Sequence, residues 1–264
     1  MTSHTPRLVI IGGGNMGTAL VSGLLANGWE ASSITVVELD ADKRSTLESS
    51  FGVGTSATVV AGEGALIAVK PGDAAAVCAS AGALGIPRVL SIAAGISVAT
   101  LQDAAGATTA VVRAMPNTPA LVGEGVSAIC GSAHCTEADL AWAESLLSAV
   151  GIVVRVDEAH MDVVTAVAGS GPGYLFLIAE LLLDAARAEG LPAGIADALV
   201  RQLFKGAGAL LAESIESPAT LRERVTSPNG TTAAGLAVLE TSGIRETMHN
   251  VVKAAAARSI EMGK

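Results

Sequence analysis

Between Leu8 and Gly17 the chain reads LVIIGGGNMG: four apolar residues, then glycines at 12, 13, 14 and 17 with Asn15 and Met16 between them. Nothing else in the sequence narrows the fold as much. A short apolar run fits a buried strand and clustered glycines fit a tight turn, so the natural reading is strand, turn, helix. The spacing Gly12-x-Gly14-x-x-Gly17 gives each glycine a task in a dinucleotide-binding turn. One bends the chain, one admits a pyrophosphate close to the backbone, and one lets helix and strand approach. A helix from Ala19 to Leu25 follows and ends at Asn27-Gly28 with a left-handed cap, and a second strand, Ile34 to Val37, ends in Glu38. An acid about 20 residues beyond such a turn is placed to accept hydrogen bonds from an adenosine ribose. Without a nucleotide, Glu38 would simply be a solvated acid closing a strand.

Two more apolar runs, Ala65 to Val69 and Val89 to Ala94, stop at Lys70-Pro71-Gly72 and at Gly95. Both read as buried parallel strands whose C-terminal ends open onto loops, where a doubly wound sheet binds its ligands. Ala110 to Arg113, Val126 to Cys130 and Ile152 to Val156 complete the sheet, with a helix from Glu137 to Val150 between the last two. Between the first two, Met115-Pro-Asn-Thr-Pro119 is a rigid turn set by two prolines. Near Asp157 strand-length runs give way to helix-length ones, which predicts a domain boundary there. The expected architecture is an α/β Rossmann-type dinucleotide-binding domain, residues 1–157, followed by an all-α domain, residues 158–264.

Half of the 264 residues are hydrophobic but only 2% are aromatic, so the core must come from Ala, Val, Leu and Ile. The first long helix after Met161 is interrupted by Ala168-Gly-Ser-Gly-Pro-Gly173 and resumes as Tyr174 to Ala188, apolar nearly all round. Such a helix must be buried, and a lone soluble chain offers it little cover; two subunits sharing one helical core would supply it. A net charge of −9 argues against nucleic acid or an anionic membrane as partner. No apolar run reaches about 18 residues without a polar or turn residue, so no membrane span is expected. Met1 to Arg7 lacks the apolar core of a signal peptide. Cys78, Cys130 and Cys135 show neither metal-ligand spacing nor a disulfide framework, so no metal is expected and a reducing cytoplasm fits.

The chemistry is expected in the stretch Leu221 to Glu240. From Thr226 to Thr232 five of seven side chains are hydroxyls or amides, and Pro228 and Gly230 mark a loop. A helix capped by Thr231 or Thr232 follows, and its free N–H groups could hold a small carboxylate. On the residues alone, an ordinary capped loop remains open. His4, His134, His160 and His249 are scattered and none pairs with a Ser or Cys, so no nucleophilic catalysis is indicated. The hard chemistry would then belong to a cofactor.

The run Ser227-Pro-Asn-Gly-Thr-Thr232, followed by Gly235-Leu236 and Leu239-Glu240, resembles the signature of pyrroline-5-carboxylate reductases, and further segments fall in that family's order along nearly the whole chain. The resemblance implies reduction of 1-pyrroline-5-carboxylate to L-proline by hydride from NADPH or NADH. It implies a substrate side of Val225, Thr226, Ser227, Asn229, Gly230, Thr231 and Thr232, with the Thr232 hydroxyl on the ring nitrogen. It implies that Ala68, Val69, Lys70, Pro71, Ala93, Ala94 and Gly95 contact the cofactor, and that Met115, Pro116 and Asn117 lie beside the nicotinamide. It also implies a homodimer intertwined through the helical domain. The segment between Val53 and Ala65 is shorter than is usual in the family, and an Asn on the adenosine side has no counterpart. Glu38 and Asp40 would repel a 2′-phosphate, which leans the cofactor toward NADH, while Lys43 and Arg44 could offset them by folding back. Two other classes share parts of this pattern. A β-hydroxyacid dehydrogenase would need a lysine on the first long helix of the second domain, and none occurs between Lys70 and Lys205. A non-enzymatic dinucleotide-binding protein would have no use for an intact substrate loop.

Overall fold

The computed structural model describes residues 7–263; the residues before Arg7, which include His4 and the segment expected to lack a signal-peptide core, lie outside the described residues. The chain forms two compact units. The first runs to Ser170 and takes in the chain again from Ala254, and the second is Gly171–Lys253.

The first unit is built on an eight-stranded sheet. Its strands are β1 (Leu8–Ile11), β2 (Ile34–Val37), β3 (Gly54–Ser56), β4 (Ala65–Ile67), β5 (Arg88–Ser91), β6 (Ala110–Met115), β7 (Gly125–Gly131) and β8 (Gly151–Arg155), in the order β3-β2-β1-β4-β5-β6-β7-β8. Pairing is parallel throughout except between β6 and β7, where the chain reverses, and β8 then pairs parallel to β7. Helices α1 (Asn15–Ala26), α2 (Ala41–Phe51), α3 (Pro71–Ala83), α4 (Val98–Ala105) and α5 (Glu137–Leu147) connect the strands. Side chains alternate across a strand, so β1 feeds two cores. Leu8 and Ile10 pack with Leu20 and Leu24 of α1 and Leu146 of α5. Val9 and Ile11 pack with Ala74 and Cys78 of α3 and Leu101 of α4. Each of these apolar residues is buried, and burying one such large side chain contributes about 1.5–3 kcal/mol. Helices on both faces explain why the strands read as unbroken apolar runs rather than alternating ones.

The expected Rossmann-type α/β domain followed by helices is the observed architecture. Boundaries shift where capping decides them. Helix α1 starts at Asn15, directly after its Gly14 N-cap, rather than at Ala19. The short strand β3 was not anticipated, because Gly-Thr-Ser at a sheet edge carries no apolar run.

After β8 a short α6 (Met161–Val164) passes into a π-helical turn, Thr165–Gly169, and then into α7 (Gly171–Ala188). The helical run Glu158–Ala188 is therefore long and apolar enough to cross a membrane by length and composition. The run carries Asp162, Thr165, Ser170, Pro172 and Glu180, so it is not the apolar stretch free of polar and turn residues that the sequence excludes.

The second unit contains α7, α8 (Ala193–Glu213), α9 (Pro218–Arg224), α10 (Thr231–Thr241) and the start of α11 (Ile244–Met262). Helix α7 has no buried residue in the single chain: Phe176 is 69% exposed and Leu181 58%. Among the described residues of α7 to α10 only Ala196 and Val200 are buried. A row of exposed leucines of this extent is the mark of an unfinished core.

Candidate active site

Every residue expected on the cofactor side lies at the C-terminal end of β1, β2, β4, β5 or β6, or in the turn or first helical turn that follows. Strand order reverses between β1 and β4, which is the switch point where an open α/β sheet forms its crevice.

At the end of β1, Gly12 has φ +112°, and its N–H donates to the Val37 carbonyl at 2.8 Å. A β-carbon at Gly12 would stand 2.4 Å from the Ala68 carbonyl oxygen, and one at Gly17 would stand 2.1 Å from the Gly12 carbonyl oxygen. Neither position has room for a side chain. Gly14 is the opposite case, with nothing within 4 Å of where a β-carbon would be. This open position is the N-cap of α1, where no side chain caps the helix. The helix start is thus free to receive a pyrophosphate on its N–H groups. Asn15 and Met16 form its first turn, with Met16 packed on the core beneath.

Glu38 closes β2 and faces this turn. Its Oε2 accepts the Gly13 N–H at 3.0 Å and its Oε1 accepts the Asp40 N–H at 3.0 Å. Each oxygen keeps acceptor capacity for a ribose hydroxyl. Arg44 does fold back: its Nη1 donates to the carbonyls of Glu38 at 2.7 Å and Leu39 at 2.8 Å. A guanidinium therefore stands at the same corner as the carboxylate. These groups fit an adenosine dinucleotide.

Ala68 continues β4, with its N–H on the Ile11 carbonyl at 2.7 Å, and Val69 and Lys70 lead into α3, where Lys70 is the N-cap and Pro71 the first helical residue. Beyond β5, the Ala93 N–H reaches Ser91 Oγ at 3.4 Å, Ala94 follows, and Gly95 turns at φ +77°. At the end of β6, Met115 leads through Pro116 to Asn117, whose amide is engaged at both ends. Oδ1 accepts the Val126 N–H at 3.0 Å and Nδ2 donates to the Ala168 carbonyl at 3.1 Å.

The residues expected on the substrate side, Val225 to Thr232, all lie in the second unit. Val225 caps the C-terminus of α9, and the Thr226 hydroxyl donates back to the Arg222 carbonyl at 2.6 Å. The Gly230 N–H closes the turn on the Ser227 carbonyl at 3.0 Å. Asn229 has φ +59° and is the one non-glycine with positive φ among the described residues, a conformation that costs energy and tends to persist where function holds it. Neither Thr231 nor Thr232 caps α10. The N-cap is Gly230, and both threonines sit in the first turn with exposed side chains. The tight Ser227-to-Gly230 turn starts the helix one residue earlier than the hydroxyls suggested, leaving the first N–H groups without a side-chain cap.

Three features near the cofactor side carried little or no signal in the sequence. Arg113 is 5% exposed in the middle of β6, and its Nη1 meets Glu158 Oε1 at 3.2 Å. That oxygen also accepts the Val98 N–H, the first of α4, at 2.6 Å. The one available signal was a charge inside an apolar strand. Buried Ser259, from the far end of the chain, donates to Asp162 at 2.6 Å, and Met262 packs beside Gly95. Only tertiary folding brings these together. The Cys78 and Cys130 thiols are pushed up to about 11 by burial, which makes them poor nucleophiles.

The sequence model described as pyrroline-5-carboxylate reductase dimerisation matches residues 158–262, and one described as NADP oxidoreductase coenzyme F420-dependent matches residues 7–95. The pyrroline-5-carboxylate reductase of Synechocystis is 42% identical over 264 residues, covering 98% of each chain. The chain belongs to the pyrroline-5-carboxylate reductase family. A solved pyrroline-5-carboxylate reductase from Coxiella burnetii is 34% identical, with a TM-score of 0.92 over 99% of this chain and all of that one. The Plasmodium falciparum pyrroline carboxylate reductase, solved with NADP bound, is 29% identical, with a TM-score of 0.85 over 98% of each chain. This reductase is accordingly a nicotinamide-dependent oxidoreductase with the family's dimerisation domain, and that domain contains the exposed apolar helix α7.

Proposed function

We propose that this chain reduces 1-pyrroline-5-carboxylate to L-proline with NADPH or NADH, working as a homodimer through its helical part. The observation that carries the substrate assignment is the loop from Thr226 to Thr232, with Asn229 at positive φ and an uncapped helix start after Gly230. That arrangement supplies backbone N–H groups for a small carboxylate. Bound, the dinucleotide supplies the hydride that adds to the C=N carbon.

The chain's own residues then have three tasks. Gly12 to Gly17, with Ala68 to Pro71, hold the pyrophosphate and its flanks. Ala93 to Gly95 and Met115-Pro116 border the nicotinamide. Val225 to Thr232 hold the substrate carboxylate, and the Thr232 hydroxyl hydrogen-bonds the ring nitrogen. A free hydroxyl is too weak an acid to protonate an imine at neutral pH, so Thr232 orients the nitrogen or relays a proton to it.

At the adenosine end, Glu38 reads the ribose hydroxyls and favours NADH, while Arg44 beside it is the charge that admits the 2′-phosphate of NADPH. Residues 1–157 carry the dinucleotide contacts and residues 158–264 the substrate contacts and dimer interface. Pairing with a second copy accounts for the apolar surface of Glu158–Ala188 better than a membrane does, because the dimerisation match spans that surface. Three free cysteines support a reducing compartment such as the cytoplasm.

The test is oxidation of NADPH and NADH in the presence of pyrroline-5-carboxylate, with proline identified as product. Turnover of 3-hydroxyisobutyrate instead would favour a β-hydroxyacid dehydrogenase, and dinucleotide binding without turnover of either would favour a sensor. Glu38→Ser should shift the kcat/KM ratio toward NADPH; an unmoved ratio would remove Glu38 from cofactor choice.

A further inference from the structure

Asn117 lies in the loop that borders the nicotinamide, yet its amide is spent inside the protein. The chemistry of its two partners fixes which end faces which. The Val126 N–H can only donate, so it takes Oδ1 at 3.0 Å; the Ala168 carbonyl can only accept, so it takes Nδ2 at 3.1 Å. Asn117 is only 9% exposed. The Ala168 carbonyl needs such a donor for a reason visible in the sequence. In an α-helix it would accept the N–H four residues on, but residue 172 is proline, which has no N–H and whose ring crowds that same carbonyl. The backbone responds by widening into the π turn Thr165–Gly169, closed by the Ser170 N–H on the Thr165 carbonyl at 2.8 Å. Met115 touches the same turn, since a β-carbon at Gly169 would stand 2.5 Å from the flexible tip Met115 Cε. The nicotinamide loop and the π turn are thus joined twice, and the second compact unit begins at Gly171, directly after that turn.

We infer that Asn117 is a positioning residue: its side-chain amide replaces the hydrogen bond that Pro172 cannot give, and so locks the nicotinamide loop to the π turn from which the substrate-carrying unit departs. The inference rests on the proposed reductase activity for its kinetic consequence but not for the bond itself. Asn117→Asp is nearly isosteric, keeps an acceptor for Val126, and sets an oxygen against the Ala168 carbonyl. Its dinucleotide dissociation constant, read from NADPH fluorescence on the full chain, should stay within about twofold, because the glycine turn and Glu38 are untouched. Its kcat/KM for pyrroline-5-carboxylate should fall about tenfold or more, the scale at which small misplacements of reacting groups are felt. Hydrogen exchange of the peptide covering 165–173, followed by mass spectrometry, should quicken in Asn117→Asp and in Asn117→Ala. Adding Pro172→Ala to Asn117→Ala restores a backbone donor and should slow that exchange again. Affinity for the dinucleotide lost in step with kcat/KM would make Asn117 a cofactor contact and overturn the inference. So would unchanged exchange, or no recovery with Pro172→Ala. If wild type does not turn over pyrroline-5-carboxylate at all, the proposed reaction fails, and the exchange experiment still decides whether Asn117 locks the π turn.

Discussion

The two compact units are made of much the same residues and use them in opposite ways. In the first, alternate side chains of each central strand go to one of two closed cores, and Leu66, Leu90 and Ile129 are fully buried by their own chain. In the second, leucines of α7 and α8 lie open, with Leu199 56% and Leu203 55% exposed. Glycines repeat the contrast. Gly17 and Gly82 are crowded by backbone of the same unit, whereas Gly173, Gly206 and Gly208 meet nothing within 4 Å. An apolar, small-residue sequence can therefore specify a finished core or half of one, and the difference is whether a sheet is present to receive the side chains.

The largest expected effect breaks the comparison at its weakest point. Phe176→Glu, on the exposed face of α7, should abolish dimerisation and with it turnover; an active monomer in sedimentation would show that the second unit needs no partner. Thr232→Ala comes next, with kcat reduced about 100-fold and dinucleotide affinity nearly unchanged, and Thr232→Ser milder. Equal kcat in Thr232→Ala and wild type would take the hydroxyl out of the reaction. Leu66→Ala should cost about 2–5 kcal/mol, independent of protein concentration, as expected of a closed core. Leu181→Ala should instead lower the melting temperature more in dilute solution if the proposed homodimer covers this exposed side chain. Concentration-independent melting of Leu181→Ala would erase the distinction between the units.

The smallest effect sharpens the picture of the first unit's surface. Arg155 hydrogen-bonds Glu144 and Glu137, and this lowers both carboxylates below their ordinary range. A depressed carboxylate stabilises the fold above its unfolded pKa and loses that contribution as pH falls through the folded one. Arg155→Met should therefore melt slightly below wild type at pH 7, with the gap closing as pH falls below about 4. A gap that persisted in acid would mean that Arg155 acts by packing rather than charge.

Much of this was legible because local chemistry dictated it. The glycine spacing from Gly12 to Gly17, the strand Ile34–Val37 and helix α10 were all readable from runs and punctuation. Direction was not: the apolar run of β7 looks the same whether it pairs parallel or antiparallel to β6. The cap of α10 was misread because a threonine is a good N-cap in isolation, while the turn closed by Gly230 onto Ser227 had already set the helix start. The closing of Arg44 onto the Glu38 and Leu39 carbonyls was conceivable from sequence, but only the fold brings it about. Ser259 against Asp162 was beyond any local pattern, because no periodicity reports that two helices distant in sequence will meet.

That last contact has a consequence for how the molecule comes apart. Because the chain returns to the first unit at Ala254, the second unit is a closed excursion, fastened at Ser170 and again where Ser259 and Met262 seat beside Asp162 and Gly95. Unfastening the far end opens a long loop, and the entropy released grows only slowly with its length. It also strips cover from the Gly95 turn. Release of the chain from Ala254 to Met262 and loosening of the Gly95 turn should therefore register as one event in hydrogen exchange.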